Sequence, residues 1–325
     1  MGLTLLVPGQ GNQHAAMLAR LRHEPAAHCV LQEAAQVTGL DLALELRRRP
    51  ANEWYENSFA QPLICTTVLA TWEALRDGLP EPDLVLGYSV GELASYGVAG
   101  ALDVASMLAL AQRRAALMNE VSPVESGLLA ILGLDKATVE LLCAEHGGEP
   151  AAINGSRHVV VGGTIPVLER LREVARSAGA KHIRLLDVRV ASHTSLLREA
   201  ARRFAHELRA SGMTDPRVPL LAGVDASPVK TREAGISALS DALCRPLAWS
   251  KCMQVAWRSG HEVFLELGPG RALSRLLRDA YPQAAVRSVE DFPSLRATAD
   301  WVCRELELQA ATRAACEDKP SLRLL

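Results

Sequence analysis

No stretch of this 325-residue chain is apolar for long enough to cross a bilayer as a helix. No basic leader opens it: Met1-Gly2-Leu3-Thr4-Leu5-Leu6-Val7 runs straight into Pro8-Gly9, which reads as a first strand and not a signal peptide. The seven cysteines form no C-x-x-C pair. That odd number, spread from Cys29 to Cys316, argues against a disulfide framework or a zinc site and for reduced, mostly buried thiols. Charge of one sign is missing too. With a net charge of −2, scattered arginines and scarce lysine, nothing points to nucleic acid or a membrane surface as partner. Internal repeats and low-complexity segments are absent. What remains is a globular, cytoplasmic protein, long enough for one main domain carrying a smaller one.

The stretch that organises the rest is Gly87-Tyr88-Ser89-Val90-Gly91-Glu92. Asp83-Leu84-Val85-Leu86 leads into it as a buried strand would, and Val90 to Tyr96 continues as a helix. Gly-x-Ser-x-Gly at a strand-to-helix junction is the pattern of a nucleophile elbow. Its small residues let strand and helix pass closely while the turn pushes the serine out. Free amides at the helix start then favour developing negative charge. By itself the pattern also fits a glycine-rich turn with an incidental serine.

The order of expected elements sets the fold class. Leu3 to Val7 is a strand; Ala15 to Leu21 and Ala27 to Val37 have helical spacing. Gln61-Pro62 opens a helix with Leu63, Val68, Leu69, Trp72 and Leu75 as its core stripe. Asp103 is placed to cap a helix from Val104 to Met118. Residues 125–190 then follow the order β-α-β-β-α-β, a ferredoxin-like subdomain inserted into a large α/β domain formed by 1–124 and 191–325. After it come a helix from Thr194 to Ala210, a strand from Glu262 to Leu267, a last helix from Ser294 to Leu308 and a fraying tail from Thr312. Strands alternating with helices imply a mainly parallel sheet covered on both faces.

A serine needs a base to act as nucleophile at neutral pH. Among nine histidines, His193 stands out, because Val188-Arg189-Val190-Ala191-Ser192-His193-Thr194 lies where the chain re-enters the large domain. Its bland reading is a helix cap or surface residue. Gln10, in the loop after the first strand, is placed to build an oxyanion hole with the Val90 amide, although Gly9-Gln10-Gly11 alone also passes as a structural turn. On the helix after the elbow, Arg113 and Arg114 are adjacent. A solvated face is the default, yet one arginine buried in a cleft suits a substrate carboxylate through its bidentate fork. Periodicity does not choose between them.

Five stretches occur together in order: Val7-Pro8-Gly9-Gln10-Gly11-Asn12-Gln13, the elbow, Gln112-Arg113-Arg114-Ala115-Ala116-Leu117-Met118, Ala191-Ser192-His193-Thr194 and Glu266-Leu267-Gly268-Pro269-Gly270. With them the chain resembles the malonyl-CoA:acyl-carrier-protein transacylase family, to about residue 280. The resemblance implies an α/β-hydrolase-like large domain with a ferredoxin-like insert, and a ping-pong acyltransferase. Ser89 is then the nucleophile and His193 the base. Gln10 and Val90 form the oxyanion hole, and Arg114 is the partner of the malonyl carboxylate, aligned by its distance from Met118. It also implies malonyl-CoA as substrate, no permanently bound cofactor or metal, and an acyl carrier protein as partner.

Two positions depart from the family pattern. Tyr88 stands where histidine usually precedes the nucleophile, and Ala242 replaces a glutamine whose main-chain carbonyl orients the catalytic histidine. Within the family, the Tyr88 elbow, Val190-Ala191-Ser192-His193-Thr194 and Ser288-Val289-Glu290-Asp291-Phe292 look like the epsilon subunit of malonate decarboxylase. The acceptor would then be that enzyme's carrier subunit, with its phosphoribosyl-dephospho-CoA thiol. The alternative acceptor is a fatty-acid or polyketide carrier with a phosphopantetheine thiol. A serine thioesterase and a non-catalytic scaffold subunit are the other readings; no acidic residue between Ser89 and His193 matches the hydrolase triad order.

Overall fold

The computed structural model describes residues 2–122 and 125–317, with side chains through residue 312. The expected domain junction at 124/125 falls partly outside the described residues, as do the last eight residues of the tail. In chain order come β1 (Leu3–Val7), α1 (Pro25–Thr38), α2 (Leu42–Arg48), α3 (Asn57–Leu75), β2 (Leu84–Gly87), α4 (Val90–Val98) and α5 (Val104–Val121). The middle of the chain forms β3 (Ser126–Leu132), α6 (Lys136–His146), β4 (Glu149–Gly155), β5 (His158–Thr164), α7 (Ile165–Ser177) and β6 (His182–Leu185). It returns through α8 (Arg198–Ala210), β7 (Leu220–Leu221), β8 (Pro228–Val229), α9 (Arg232–Cys244) and α10 (Trp249–Arg258). Last are β9 (Val263–Glu266), α11 (Ala272–Ala280), β10 (Ala285–Ser288) and α12 (Leu295–Glu317).

Six strands form a sheet in the order β10-β9-β1-β2-β7-β8, parallel except for β8. All five residues of β1 are buried, as a central parallel strand covered on both faces requires. Its side chains alternate. Leu5 and Val7 join one core with Val85 and Leu265, and Leu6 joins the other with Leu86, Phe264 and Trp249. The register Val7↔Gly87 brings the loop after β1 alongside the turn after β2.

The second sheet has four antiparallel strands in the order β4-β5-β3-β6. This is the expected β-α-β-β-α-β unit. Leu129, Ile131, Val159 and Val161 pack under α6 and α7, while Leu128, Ala130, Ala152 and Val160 face the large sheet's side of the molecule with Ala242 and Leu247. An isolated parallel bridge, Ala152↔Leu247, stitches the two parts together.

Several expected boundaries move. The helix expected from Gln61-Pro62 begins at Asn57, with Pro62 inside it. Proline removes one helical hydrogen bond, but every residue from Phe59 to Thr71 is buried, and that burial dominates. Ala15 to Leu21 is not a helix. Isolated i−3 bonds (Met17 N to His14 O, Ala19 N to Ala16 O) make single turns that drop Met17, Leu18 and Leu21 into the core. The helix expected from Thr194 starts at Arg198 after a 3-10 turn, Ser195–Leu197. There the Glu149 carboxylate accepts from the Ser195 amide (2.8 Å) and hydroxyl, capping the turn from outside. The last helix extends through Glu317, past the expected stop at Leu308. Of the six cysteines whose side chains are described, all free, three are buried.

Candidate active site

Ser89 sits between β2 and α4 with φ 57° and ψ −121°, a region that non-glycine residues rarely occupy. The turn closes through Gly91 N donating to Tyr88 O and Glu92 N donating to Ser89 O, both at 2.9 Å. Its glycines are required by space. A Cβ on Gly87 would lie 2.3 Å from Glu92 Cα, and one on Gly91 would lie 2.3 Å from Val7 O. Val90 holds the first helical position, where amides have no intrahelical acceptor.

His193 approaches from the other side, also at positive φ (65°) and only 3% exposed. Its Nε2 lies 2.9 Å from Ser89 Oγ, and its Nδ1 is hydrogen-bonded to Ala242 O. Its amide donates to Leu243 O at 2.9 Å. Both carbonyls come from the last turn of α9, and each lacks its helical donor for its own reason. The residue that would donate to Ala242 O is Pro246, which has no N–H. The one that would donate to Leu243 O is Leu247, whose amide goes to Ala151 O instead. With Nδ1–H donating to a carbonyl, Nε2 is the ring's acceptor toward the serine hydroxyl. Burial, aided by the Arg114 charge and opposed by the Ala242 bond, pushes the imidazole down to about 3, so it is neutral at pH 7.

The adjacent arginines separate completely. Arg113 is half-exposed and paired with Glu207 at 2.7 Å. Arg114 is 3% exposed, and its Nη1 donates to Gln61 Oε1 at 2.8 Å. Burial lowers it to about 10, against Cys65 and Glu92, so it stays charged at neutral pH. Among the described residues no carboxylate lies within ion-pairing distance of it. A polar cluster surrounds this region: Gln10 Nε2 donates to Asn57 Oδ1 (3.2 Å), and Asn57 Nδ2 donates to Asn119 Oδ1 (3.0 Å).

Gln10, Tyr88, Ser89 and His193 line one cleft of about 60 Å³ with Ala152 and Val160 of the small sheet. Arg114 and Val90 are not on its surface, although the Arg114 charge reaches His193. Tyr88 packs edge-on to Trp249 at 5.4 Å; burial pushes its phenol up to about 12, opposed by the Asn154 side chain. A far larger cleft, about 660 Å³ beside Val30, Leu69, Trp72, Glu73 and Asp103, lacks any such serine–histidine pair. Chemistry, not volume, locates the site. Gln61, Asn57 and Asn119 were not singled out from the sequence. The available signal was Gln61, a polar residue inside an otherwise apolar run on α3.

A serine in a strained elbow, hydrogen-bonded to a neutral histidine and set in a two-sheet α/β fold, is the arrangement of enzymes that carry an acyl group on serine. Residues 4–313 match the family model described as "Acyl transferase domain". Over 282 residues the chain is 33% identical to the malonyl CoA-acyl carrier protein transacylase of Salmonella typhimurium, covering 83% of this chain and 90% of that one. A malonyl-transacylase solved in complex with its type II PKS acyl-carrier protein superposes with a TM-score of 0.88 at 29% identity, covering 92% of this chain and 99% of that one. The malonyl CoA-acyl carrier protein transacylase from Coxiella burnetii gives 0.87 at 29% identity, covering 94% and 98%. The chain belongs to the malonyl-CoA:acyl-carrier-protein transacylase family and is an acyltransferase.

Proposed function

We propose that this protein moves a malonyl group from malonyl-CoA, through an ester on Ser89, to the prosthetic thiol of an acyl carrier protein. Arg114 is the observation that carries the malonyl assignment: a buried, charged guanidinium whose side-chain partner is the neutral amide of Gln61. Such a cation is satisfied by a substrate carboxylate. In the first half-reaction Ser89 Oγ attacks the thioester carbonyl as its proton passes to His193 Nε2. The oxyanion is held by main-chain amides of Gln10 and Val90. The C–S bond breaks, and the imidazolium returns the proton to the CoA sulfur. In the second half-reaction the carrier thiol gives its proton to His193 and attacks the ester carbonyl; the C–O bond to Ser89 breaks, the malonyl group leaves as the carrier thioester, and the imidazolium returns the proton to Ser89 Oγ. Binding a carboxylate also cancels the Arg114 charge that depresses His193, so a malonyl group strengthens the base that activates the serine. The thioesterase reading is weaker, since His193 Nδ1 meets a main-chain carbonyl where a hydrolase triad has a carboxylate.

The similarity to the transacylases, including one solved with a polyketide carrier, favours a fatty-acid or polyketide acyl carrier protein with a phosphopantetheine thiol as acceptor. The carrier subunit of malonate decarboxylase, with its phosphoribosyl-dephospho-CoA thiol, is the second reading. It is supported by Tyr88 and by Ser288-Val289-Glu290-Asp291-Phe292. Either reaction draws on cytoplasmic malonyl-CoA and needs no resident cofactor. The test is intact-protein mass after brief incubation with malonyl-CoA or acetyl-CoA, followed by each carrier. A malonyl adduct discharged to the phosphopantetheine carrier is expected. Discharge only to the decarboxylase carrier selects the second reading, and no adduct with either thioester overturns the enzyme mechanism.

A further inference from the structure

We propose that Glu92 is a positioning residue for acyl transfer, pinning the elbow helix to the chain segment that holds His193. The inference rests on the Ser89–His193 reading above and concerns a residue that this mechanism does not use. Glu92 is 2% exposed, three residues after Ser89, and its amide already donates to Ser89 O. Its side chain points the other way. Oε1 accepts from Gly223 N at 3.0 Å, and Oε2 is buried without a partner. Gly223 O in turn accepts from Ala248 N at 2.7 Å. Next to Ala248, Leu247 donates its amide to Ala151 O (2.9 Å) and accepts from Ile153 N (2.8 Å) on β4. A few residues earlier, Ala242 and Leu243 supply the two carbonyls that grip His193. One side chain thus fixes the serine's helix relative to both the histidine's acceptors and the cleft wall.

The fit is tight. A Cβ on Gly223 would lie 2.5 Å from Glu92 Oε2, so glycine there and glutamate here are matched. Around the carboxyl stand the Gly223 amide, Arg114 on α5 and Asp225 in the segment after β7. Tyr96 on its own helix and Cys252 on α10 feel its charge. Burial pushes Glu92 up to about 8, opposed by the Gly223 bond and Arg114 and reinforced by Asp225. It therefore sits largely protonated at pH 7, and a glutamine amide reproduces its shape and charge. The sign of the stability effect follows. A carboxyl raised in the fold favours folding fully below its unfolded value, near 4.5, and loses that contribution as pH rises through about 8.

The experiment compares full-length wild type, Glu92→Gln and Glu92→Ala. It reads single-turnover ester formation on Ser89, kcat and KM with malonyl-CoA and acetyl-CoA, and melting temperature from pH 5 to 9. Glu92→Ala is expected to lose about 10- to 100-fold in kcat, equally for both thioesters and with little change in KM. Glu92→Gln is expected to recover to within about threefold of wild type and to flatten the fall of melting temperature above pH 6. A folded Glu92→Ala variant at wild-type rate, or a glutamine variant no better than alanine, overturns the inference. Should Glu92→Ala fail to fold, Gly223→Ala crowds the same contact. Its kcat defect, relieved by adding Glu92→Asp, supports the inference, and its absence overturns it. Wild type that forms no ester overturns the Ser89–His193 reading as well, whereas loading wild type with an indifferent Glu92 overturns the inference alone.

Discussion

The two sheets contribute to the cleft in different ways. The parallel sheet presents strand ends: β1 leads into the Gln10 loop, β2 into Ser89, and their in-register pairing places both at one edge. This is where doubly covered parallel sheets put ligands, because the connecting loops there are free of the sheet's own packing. The antiparallel sheet instead presents a face. Ala152 and Val160 project from strand interiors to form an apolar wall, and none of the proposed catalytic groups lies within its strands. Edge exposure differs as well. At the edge strand β10 of the parallel sheet one residue of four is exposed, whereas at the edge strand β6 of the antiparallel sheet three of the four are exposed. Reactive groups held at rigid strand ends are fixed by backbone geometry, while a wall of side chains adjusts by substitution. The lesson is a division of labour between chemistry and shape.

The sharpest way to break this contrast is at the end of β2. Ser89→Ala is expected to abolish the malonyl adduct in intact-mass measurements and to lower transfer by roughly 10⁴- to 10⁶-fold, as removal of a serine nucleophile does elsewhere. A surviving adduct would move the nucleophile off the parallel sheet. Next comes Arg114→Ala, which removes the proposed carboxylate partner while leaving the elbow residues in place. Malonyl loading is expected to fall by about 2–5 kcal/mol in transition-state terms, with acetyl loading much less affected. Equal losses for both thioesters would show that Arg114 is structural.

A smaller effect tests the sheets themselves. Gly87→Ala forces a Cβ to within 2.3 Å of backbone on the parallel sheet's turn, and a stability loss of about 3 kcal/mol is expected in thermal melts. Gly163→Ala, on β5 of the antiparallel sheet, meets its nearest atom at 3.4 Å, so a change of under about 1 kcal/mol is expected. Equal losses would erase the distinction between rigid end and adaptable face. The smallest effect is a deliberate absence. Because His193 is held down to about 3, ester formation should stay level between pH 7 and 5, where an ordinary imidazole base would lose roughly 25-fold. Stability moves the other way. A histidine lowered in the fold contributes fully above its unfolded value near 6.5 and loses that contribution as pH falls toward 3. His193→Ala should therefore show a shallower drop in melting temperature from pH 7 to 5; an unchanged slope would contradict the burial of this ring.

Much of this was legible in the chain because it is local. The elbow is six consecutive residues whose glycines must be where they are for steric reasons, and the β-α-β-β-α-β order follows from periodicities that neighbouring residues set. The mixed α/β fold class was readable for the same reason. Helix starts were less so. At Asn57 the local signal from Pro62 pointed to a later start, but burial along α3 outweighed it. The capping of Ser195 by Glu149 was invisible because the partners are 46 residues apart.

By itself, then, the sequence determined the turn chemistry at Ser89, the alternation of strands and helices, and, through Pro246, a free carbonyl at Ala242. Only the tertiary structure decided which of two adjacent arginines turns inward, that Gln61 rather than a carboxylate meets it, and that Glu92 reaches Gly223 across 131 residues. The physical reason is range. Backbone sterics and helix termini act over four or five residues and leave their mark in local patterns. The choice between solvent and interior, and the partner a buried charge finds there, depends on groups brought together only when the whole chain packs.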